Sequence, residues 1–234
     1  MVYQPTSWLG LYASYAESFG AFAQLGRSRT GEPFGPETAT QYEAGLKTDL
    51  LDGSLTATLA FYHLTKQDIL TPDPVVPDFS VQIGAARSRG IELDVSGAPT
   101  PSLKLIGSLA YTDTEITTSN LRDEGNPLAA VPEWSGSLWA VHTRQEGPLR
   151  GLKFGAGIFA EDTRLGDNAG TFELPGYVRV DLLAGYEWPI GNTQLTAQLN
   201  VENALDQEYF KSPILISAVP GAPRTFLGSI RIEF

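Results

Sequence analysis

Arg224-Thr225-Phe226-Leu227-Gly228-Ser229-Ile230-Arg231-Ile232-Glu233-Phe234 is the stretch that decides the fold. Read at every second residue, one face is Phe226, Gly228, Ile230, Ile232 and Phe234. The other is Thr225, Leu227, Ser229, Arg231 and Glu233. Side chains of a strand alternate between faces, so this is a strand with one apolar side and one mostly polar side. In a soluble sandwich the two sides meet core and water. In an outer-membrane barrel they meet lipid and a wet lumen.

Working back from it, the same alternation returns nine times. Strands are expected at Trp8–Ser18, Gln41–Leu51, Ser54–Asp68, Phe79–Ser96 and Ser102–Thr117. Further ones follow at Glu133–Thr143, Leu152–Glu161, Tyr177–Trp188 and Gln194–Glu202. In the second, Tyr42, Ala44, Leu46, Thr48 and Leu50 oppose Gln41, Glu43, Gly45, Lys47 and Asp49. The sixth alternates least well, since Leu138, Trp139, Ala140 and Val141 run together. Asp52-Gly53 reads as a two-residue hairpin, and Gly97–Pro101 as a tight turn.

Two regularities favour the membrane setting. Connections alternate between tight (52–53, 97–101, 145–151, 189–192) and long (19–36, 70–77, 119–131, 163–175, 203–223). Barrels of the outer membrane pair short periplasmic turns with long outer loops. The strands also span about ten residues or more, the length a tilted membrane strand needs. Aromatic residues gather near strand ends, at Trp8, Tyr62, Tyr111, Trp134, Tyr177, Tyr186, Trp188 and Phe234. Girdles sit at that level.

Composition removes other classes. The 234 residues carry a formal charge of −11, which argues against nucleic-acid binding. There is no cysteine, hence no disulfide framework, thiolate metal site or cysteine nucleophile. No apolar run reaches the roughly 20 residues of a membrane helix. Met1–Thr6 lacks the basic and apolar regions of a signal peptide.

Eight segments, in order, resemble the C-terminal part of TonB-dependent outer-membrane receptors, in particular those for ferric siderophores. They are Tyr12–Phe22, Pro36–Leu70, Ala86–Gly97, Ala110–Ile116, Asn126–His142, Leu174–Trp188, Asn200–Tyr209 and Pro220–Phe234. The resemblance implies an all-β fold: an antiparallel transmembrane β-barrel region of about ten strands, matching the last ten of a 22-stranded wall. One domain covers 1–234, without the family's plug domain, TonB box or signal peptide. Ten strands permit closure as a smaller barrel, with Trp8–Ser18 as partner of the last strand.

The implied function is TonB-dependent import of ferric siderophores across the outer membrane of a Gram-negative bacterium. The implied partners are the ferric siderophore, outer-membrane lipid and the barrel-assembly machinery, with TonB acting through the N-terminal region. The chain is expected to be a monomer without a cofactor, since the siderophore chelates the iron. Phe34, Tyr62, Phe79, Gln82, Trp134, Phe172 and Tyr209 are the candidate ligand contacts, and the terminal Phe234 the assembly signal. Alternatives are a small plug-less outer-membrane barrel, acting as a passive pore or a vestigial product, and an outer-membrane hydrolase. The only histidines, His63 and His142, sit in no nucleophile motif, so neither catalysis nor a protein metal site is expected. The charges Glu43, Lys47, Asp49, Glu92, Asp94, Arg179, Asp181, Arg231 and Glu233 are expected to pair across strands on the polar face.

Overall fold

The computed structural model describes residues 1–20, 26–191, 193–214 and 217–234. Parts of the expected first long loop (21–25) and of the last two connections (192, 215–216) therefore lie outside the described residues. In chain order the strands are β1 (Val2–Thr6), β2 (Leu9–Gly20), β3 (Glu37–Leu50), β4 (Leu55–Pro72), β5 (Ser80–Thr100), β6 (Leu103–Thr118), β7 (Trp134–Thr143) and β8 (Leu152–Glu161). They continue as β9 (Arg164–Leu165), β10 (Glu173–Leu174), β11 (Tyr177–Ile190), β12 (Thr193–Glu202), β13 (Phe210–Ile214), β14 (Ser217–Pro220) and β15 (Thr225–Glu233).

Eleven of these form one sheet, ordered β1-β2-β3-β4-β5-β6-β7-β8-β11-β12-β15, with every neighbouring pair antiparallel. The pairs β9–β10 and β13–β14 are separate small hairpins inside long connections. All ten expected strands are present. Val2–Thr6 adds an eleventh, and it corrects the expected closure. β1 covers the Leu9–Tyr12 part of β2 on the side away from β3, so that part of Trp8–Ser18 is closed to β15, whereas Ser14–Ser18 pairs with β3 alone. Among the described residues β15 pairs only with β12, and the sheet is open.

The sheet is a single layer. Its accessible surface is 14952 Å², whereas a compact globule of this mass would expose about 10,000 Å². Among the described residues only Ala60, Ala86, Ile116, Leu174 and Tyr209 are buried apolar residues. Leu11, Tyr15, Phe61, Ile91, Leu109, Leu138, Ile158, Leu182, Leu199 and Ile230 are exposed, and all stand on the same face. An apolar surface this extensive is stable against lipid, not water.

Register fixes which residues share a face. One apolar row runs Phe61, Ile91, Tyr111, Trp134. One row further along the strands stand His63, Arg89 and Asp113, and Arg89 Nε meets Asp113 at 2.6 Å. The apolar band therefore ends abruptly toward the long connections. Its rim carries the ring pairs Tyr15–Tyr42 (centroids 5.1 Å) and Tyr111–Trp134 (4.9 Å). At the short-turn end lie Tyr186–Trp188 (4.6 Å) and His142–Phe154 (5.0 Å). The strand whose alternation read poorly resolves cleanly. Leu138, Ala140 and His142 join the apolar face, while Trp139 lies on the polar face across the bare backbone of Gly157.

Two turns differ from expectation. Leu50 pairs with Leu55, so four residues turn the chain, with Leu51, Asp52 and Gly53 all at positive φ. β5 continues to Thr100 through a register shift at Gly97 (φ 149). Gly97 lies so close to the Ser54 carbonyl that no side chain fits. The GAPTP segment is thus a bulged strand end, with its turn at 101–102.

Candidate functional site

The long connections gather at one end of the sheet, and side-chain amides and carboxylates hold their roots. A strand end leaves backbone N–H and C=O groups unpaired, and Asn, Gln and Asp side chains can satisfy them. Gln82 in β5 donates to the carbonyls of Gly35 (2.8 Å) and Asp68 (2.9 Å) and accepts from Gly35 N–H (3.0 Å). It ties the first long connection to the top of β4. Asp73 accepts from the N–H groups of Val75 and Val76 at 2.8 and 3.0 Å and faces Arg29 at 3.6 Å. These backbone donors, then Arg29, hold its carboxyl below the usual range. Asp167 is lowered likewise, first by the Thr171 hydroxyl and then by backbone N–H groups.

The 119–133 connection folds back onto β4 and β6. Asn120 donates to Thr71 Oγ1 (3.2 Å) and the Pro72 carbonyl (3.1 Å). Leu128 N–H donates to the buried Thr114 hydroxyl at 3.0 Å. Asn168 joins it to the next connection, accepting from Ala129 N–H and Asn126 Nδ2 at 2.9 Å each. Further along, Arg164 is buried against Glu161 (3.1 Å) and donates to the Phe210 carbonyl (2.7 Å).

This folding-back encloses a cavity of about 400 Å³ under the connection. Its apolar wall includes Leu64, Ile69, Leu70, Ile116, Leu121 and Leu128. Its ionisable lining residues are Lys66, Arg87 and Asp123. Lys66 is paired with Glu37, and Arg87 with Glu115 at 2.5 Å. Asp123 Oδ1 and Arg87 Nε are buried without a hydrogen-bond partner. The volume and the mixed lining fit part of an organic ligand.

The seven expected contacts divide. Tyr62 stands on the polar face, its hydroxyl 3.3 Å from those of Ser88 and Thr112. Phe34 and Phe79 are half-buried in the connections that Gln82 and Asp73 organise, and the Gln82 amide itself is engaged with backbone. Phe172 covers Gly166. Tyr209 is 4% exposed, stacked on Tyr177 (4.5 Å) and bonded to Arg179 (3.2 Å). Trp134, 48% exposed, stands on the apolar face beside Tyr111. Phe34 and Gln82 are brought together at Gly35, whereas Trp134 is on the opposite face from Tyr62.

Sequence reading missed the cavity, because Ile116 and Leu128 become neighbours only when the connection folds back. It also expected charges to pair across strands. On the polar face Arg179–Asp181 (2.9 Å) and Arg231–Glu233 (2.6 Å) pair along one strand instead. Residues i and i+2 share a face about 7 Å apart, within reach of an arginine. Among the described residues the cross-strand pairs are Lys66–Glu37, Lys153–Glu187, Arg87–Glu115 and Arg89–Asp113. Neither histidine is set up as a base: His63 lies 3.5 Å from Thr65 Oγ1, and His142 lies against Phe154 on the apolar face.

A model described as "TonB dependent receptor-like, beta-barrel" matches residues 1–204. The chain is 40% identical over 236 aligned residues to the metal-pseudopaline receptor CntO of Pseudomonas aeruginosa, covering all of this chain and 33% of that protein. It is 39% identical to the ferrichrome outer membrane transporter/phage receptor of Escherichia coli, over 86% of this chain and 27% of that protein. The chain thus spans about a third of the length of the curated relatives it matches. Among solved structures, the ferric preacinetobactin receptor BauA of Acinetobacter baumannii superposes with a TM-score of 0.87 at 30% identity. That match covers 100% of this chain and 35% of the receptor.

Proposed function

The chain belongs to the TonB-dependent receptor β-barrel family, and from that premise we propose that it forms ligand-facing wall of an outer-membrane receptor importing ferric siderophores. Its relatives are receptors and transporters, not enzymes, and the hydrolase alternative is set aside. Family members are outer-membrane proteins of Gram-negative bacteria, which agrees with the lipid-type face of the sheet. In this reading the long connections face outward and meet the ferric chelate. TonB supplies the energy as a partner of the whole receptor, and Phe234 is read by the barrel-assembly machinery. Receptor function is then exercised by a monomer.

The observation that supports the reading is that hydrogen bonds among the described residues join long connections to one another and to strand tops at a single end of the sheet. Gln82, Asn120 and Asn168 bind neighbouring connections to one another or to strand tops. A passive pore has no need of such joining, whereas a receptor must hold its loops in a fixed arrangement to recognise a bulky chelate.

The test is a titration of the full chain, folded in detergent, with ferrichrome, ferrioxamine B, ferric preacinetobactin and metal–pseudopaline. Its four tryptophans report binding by fluorescence. Saturable quenching by one class and not by the iron-free chelator is the expected result. Ion conductance in a planar bilayer with no response to any chelate overturns the reading in favour of a pore.

A further inference from the structure

The cavity under the 119–133 connection contains one ionisable lining residue without a counter-charge. Asp123 is 6% exposed, and its Oδ1 is sealed from solvent with no hydrogen-bond donor. The other two ionisable lining groups each have a counter-charge, Lys66 in Glu37 and Arg87 in Glu115, although Arg87 Nε keeps no acceptor of its own. A carboxylate removed from water is costly unless a cation or donor compensates it. The sequence neighbours do not serve: among the described residues Arg122 forms no ion pair with it, and Glu124 accepts from Ser119 N–H.

We propose that this cavity takes an aliphatic arm ending in a primary ammonium, which meets the Asp123 carboxylate. The inference rests on the receptor reading and adds the chemical class of group that the site accepts. The wall selects the arm: Leu64, Ile69, Ile116, Leu121 and Leu128 offer hydrocarbon contact along its length. The carboxylate selects the terminus, because an ammonium brings both charge and donors. An anionic arm finds Lys66 and Arg87 each already facing a carboxylate, with only the buried Arg87 Nε left as a donor. A bare divalent metal finds one carboxylate with Lys66 and Arg87 in the same lining, and neutral hydroxyl and amide oxygens otherwise, short of the carboxylate-rich set of six to eight oxygens that calcium takes. A ferric chelate with a pendant alkylamine satisfies the site, as does a free alkylamine, and the free amine isolates the pocket's own preference.

The probe is therefore n-hexylammonium, with 1-hexanol and hexanoate as matched controls, titrated calorimetrically against the full chain in detergent. Wild-type chain is expected to bind n-hexylammonium at least tenfold more tightly than either control. Asp123→Asn, which keeps the side-chain shape, is expected to bind n-hexylammonium no better than 1-hexanol, with an unchanged far-UV circular dichroism spectrum. Equal affinity of the wild-type chain for the amine and the alcohol overturns the proposal without recourse to any variant. So does undiminished amine binding by Asp123→Asn. The probe contains no iron, so its failure leaves the ferric-chelate reading standing. A failed chelate titration with intact amine binding removes the receptor reading instead.

Discussion

Asp181 Oδ1 accepts the backbone N–H of Asn203 at 2.8 Å, tying the middle of β11 to the residue that follows β12. The other carboxylate oxygen takes Arg179 at 2.9 Å. Asn203 is 1% exposed, sits at φ 51, and uses its own amide on the far side. It donates to the carbonyls of Gln207 (2.9 Å) and Ala222 (3.1 Å) and accepts from Gln207 N–H (2.8 Å). Both ends of the last long connection are thus held by one side chain.

Asn203→Ala removes three side-chain hydrogen bonds and is expected to destabilise by roughly 2–4 kcal/mol. Asn203→Gly also loses the bonds but relieves the left-handed backbone, and it should recover about 1 kcal/mol of that loss. Urea unfolding midpoints measure both. Equal stability of wild type and Asn203→Ala sinks the account of this residue.

Glycines on the sheet are not equivalent. A Cβ on Gly90 would overlap the Tyr111 carbonyl oxygen and press on the Tyr62 ring, whereas one on Gly228 meets nothing within 4 Å. Gly90→Ala is expected to cost about 1–3 kcal/mol through overpacking. Gly228→Ala should be neutral, or stabilising by up to about 1 kcal/mol. The same unfolding measurement decides, and a larger loss at Gly228 than at Gly90 would contradict the register.

The face assignment can be tested by charge at two adjacent positions. Leu109 is on the apolar face, while Ser108 is on the polar face, 3.0 Å from the Ser137 hydroxyl. Leu109→Lys is expected to cost roughly 2–4 kcal/mol in a bilayer, and Ser108→Lys far less. Folding yields into liposomes compare them, and the reverse ranking would invert the barrel's inside and outside.

Asp73 gives a pH prediction. Its folded pKa is lowered, chiefly by the Val75 and Val76 N–H groups and further by Arg29. Its contribution is therefore complete above the ordinary aspartate value of about 3.9 and is lost as pH falls through the lower folded value. The Val75 and Val76 amide resonances should titrate with a midpoint below about 3.9, and Asp73→Asn should abolish that titration. A midpoint above the ordinary value counts against the turn geometry.

Strand positions and their two faces were readable in the sequence because a period of two is a local property. Phe226, Gly228, Ile230 and Ile232 needed no partner to be recognised as one face. Val2–Thr6 escaped notice because its five residues, VYQPT, show no clear alternation and include a proline. The site was less legible. Gln82 and Tyr209 were picked out as polar or aromatic residues near strand tops, yet both are engaged by loop backbone or by Arg179. Trp134 differed only in which side of the sheet its parity selected, and that parity was blurred by the run Leu138–Val141. Asp123 had no local signal, since its isolation depends on Lys66 and Arg87 having found partners 28 or more residues away.

The fastening of the connections at their roots bears on how such a wall changes over generations. Gln82, Asn120 and Asn203 grip backbone groups, which every residue type provides, rather than side chains at the loop tips. Tip residues between the anchors can therefore be replaced, lengthened or shortened without loosening the strands beneath. A lineage can exchange one chelate for another by rewriting the tips, while the membrane-embedded sheet remains untouched by that selection.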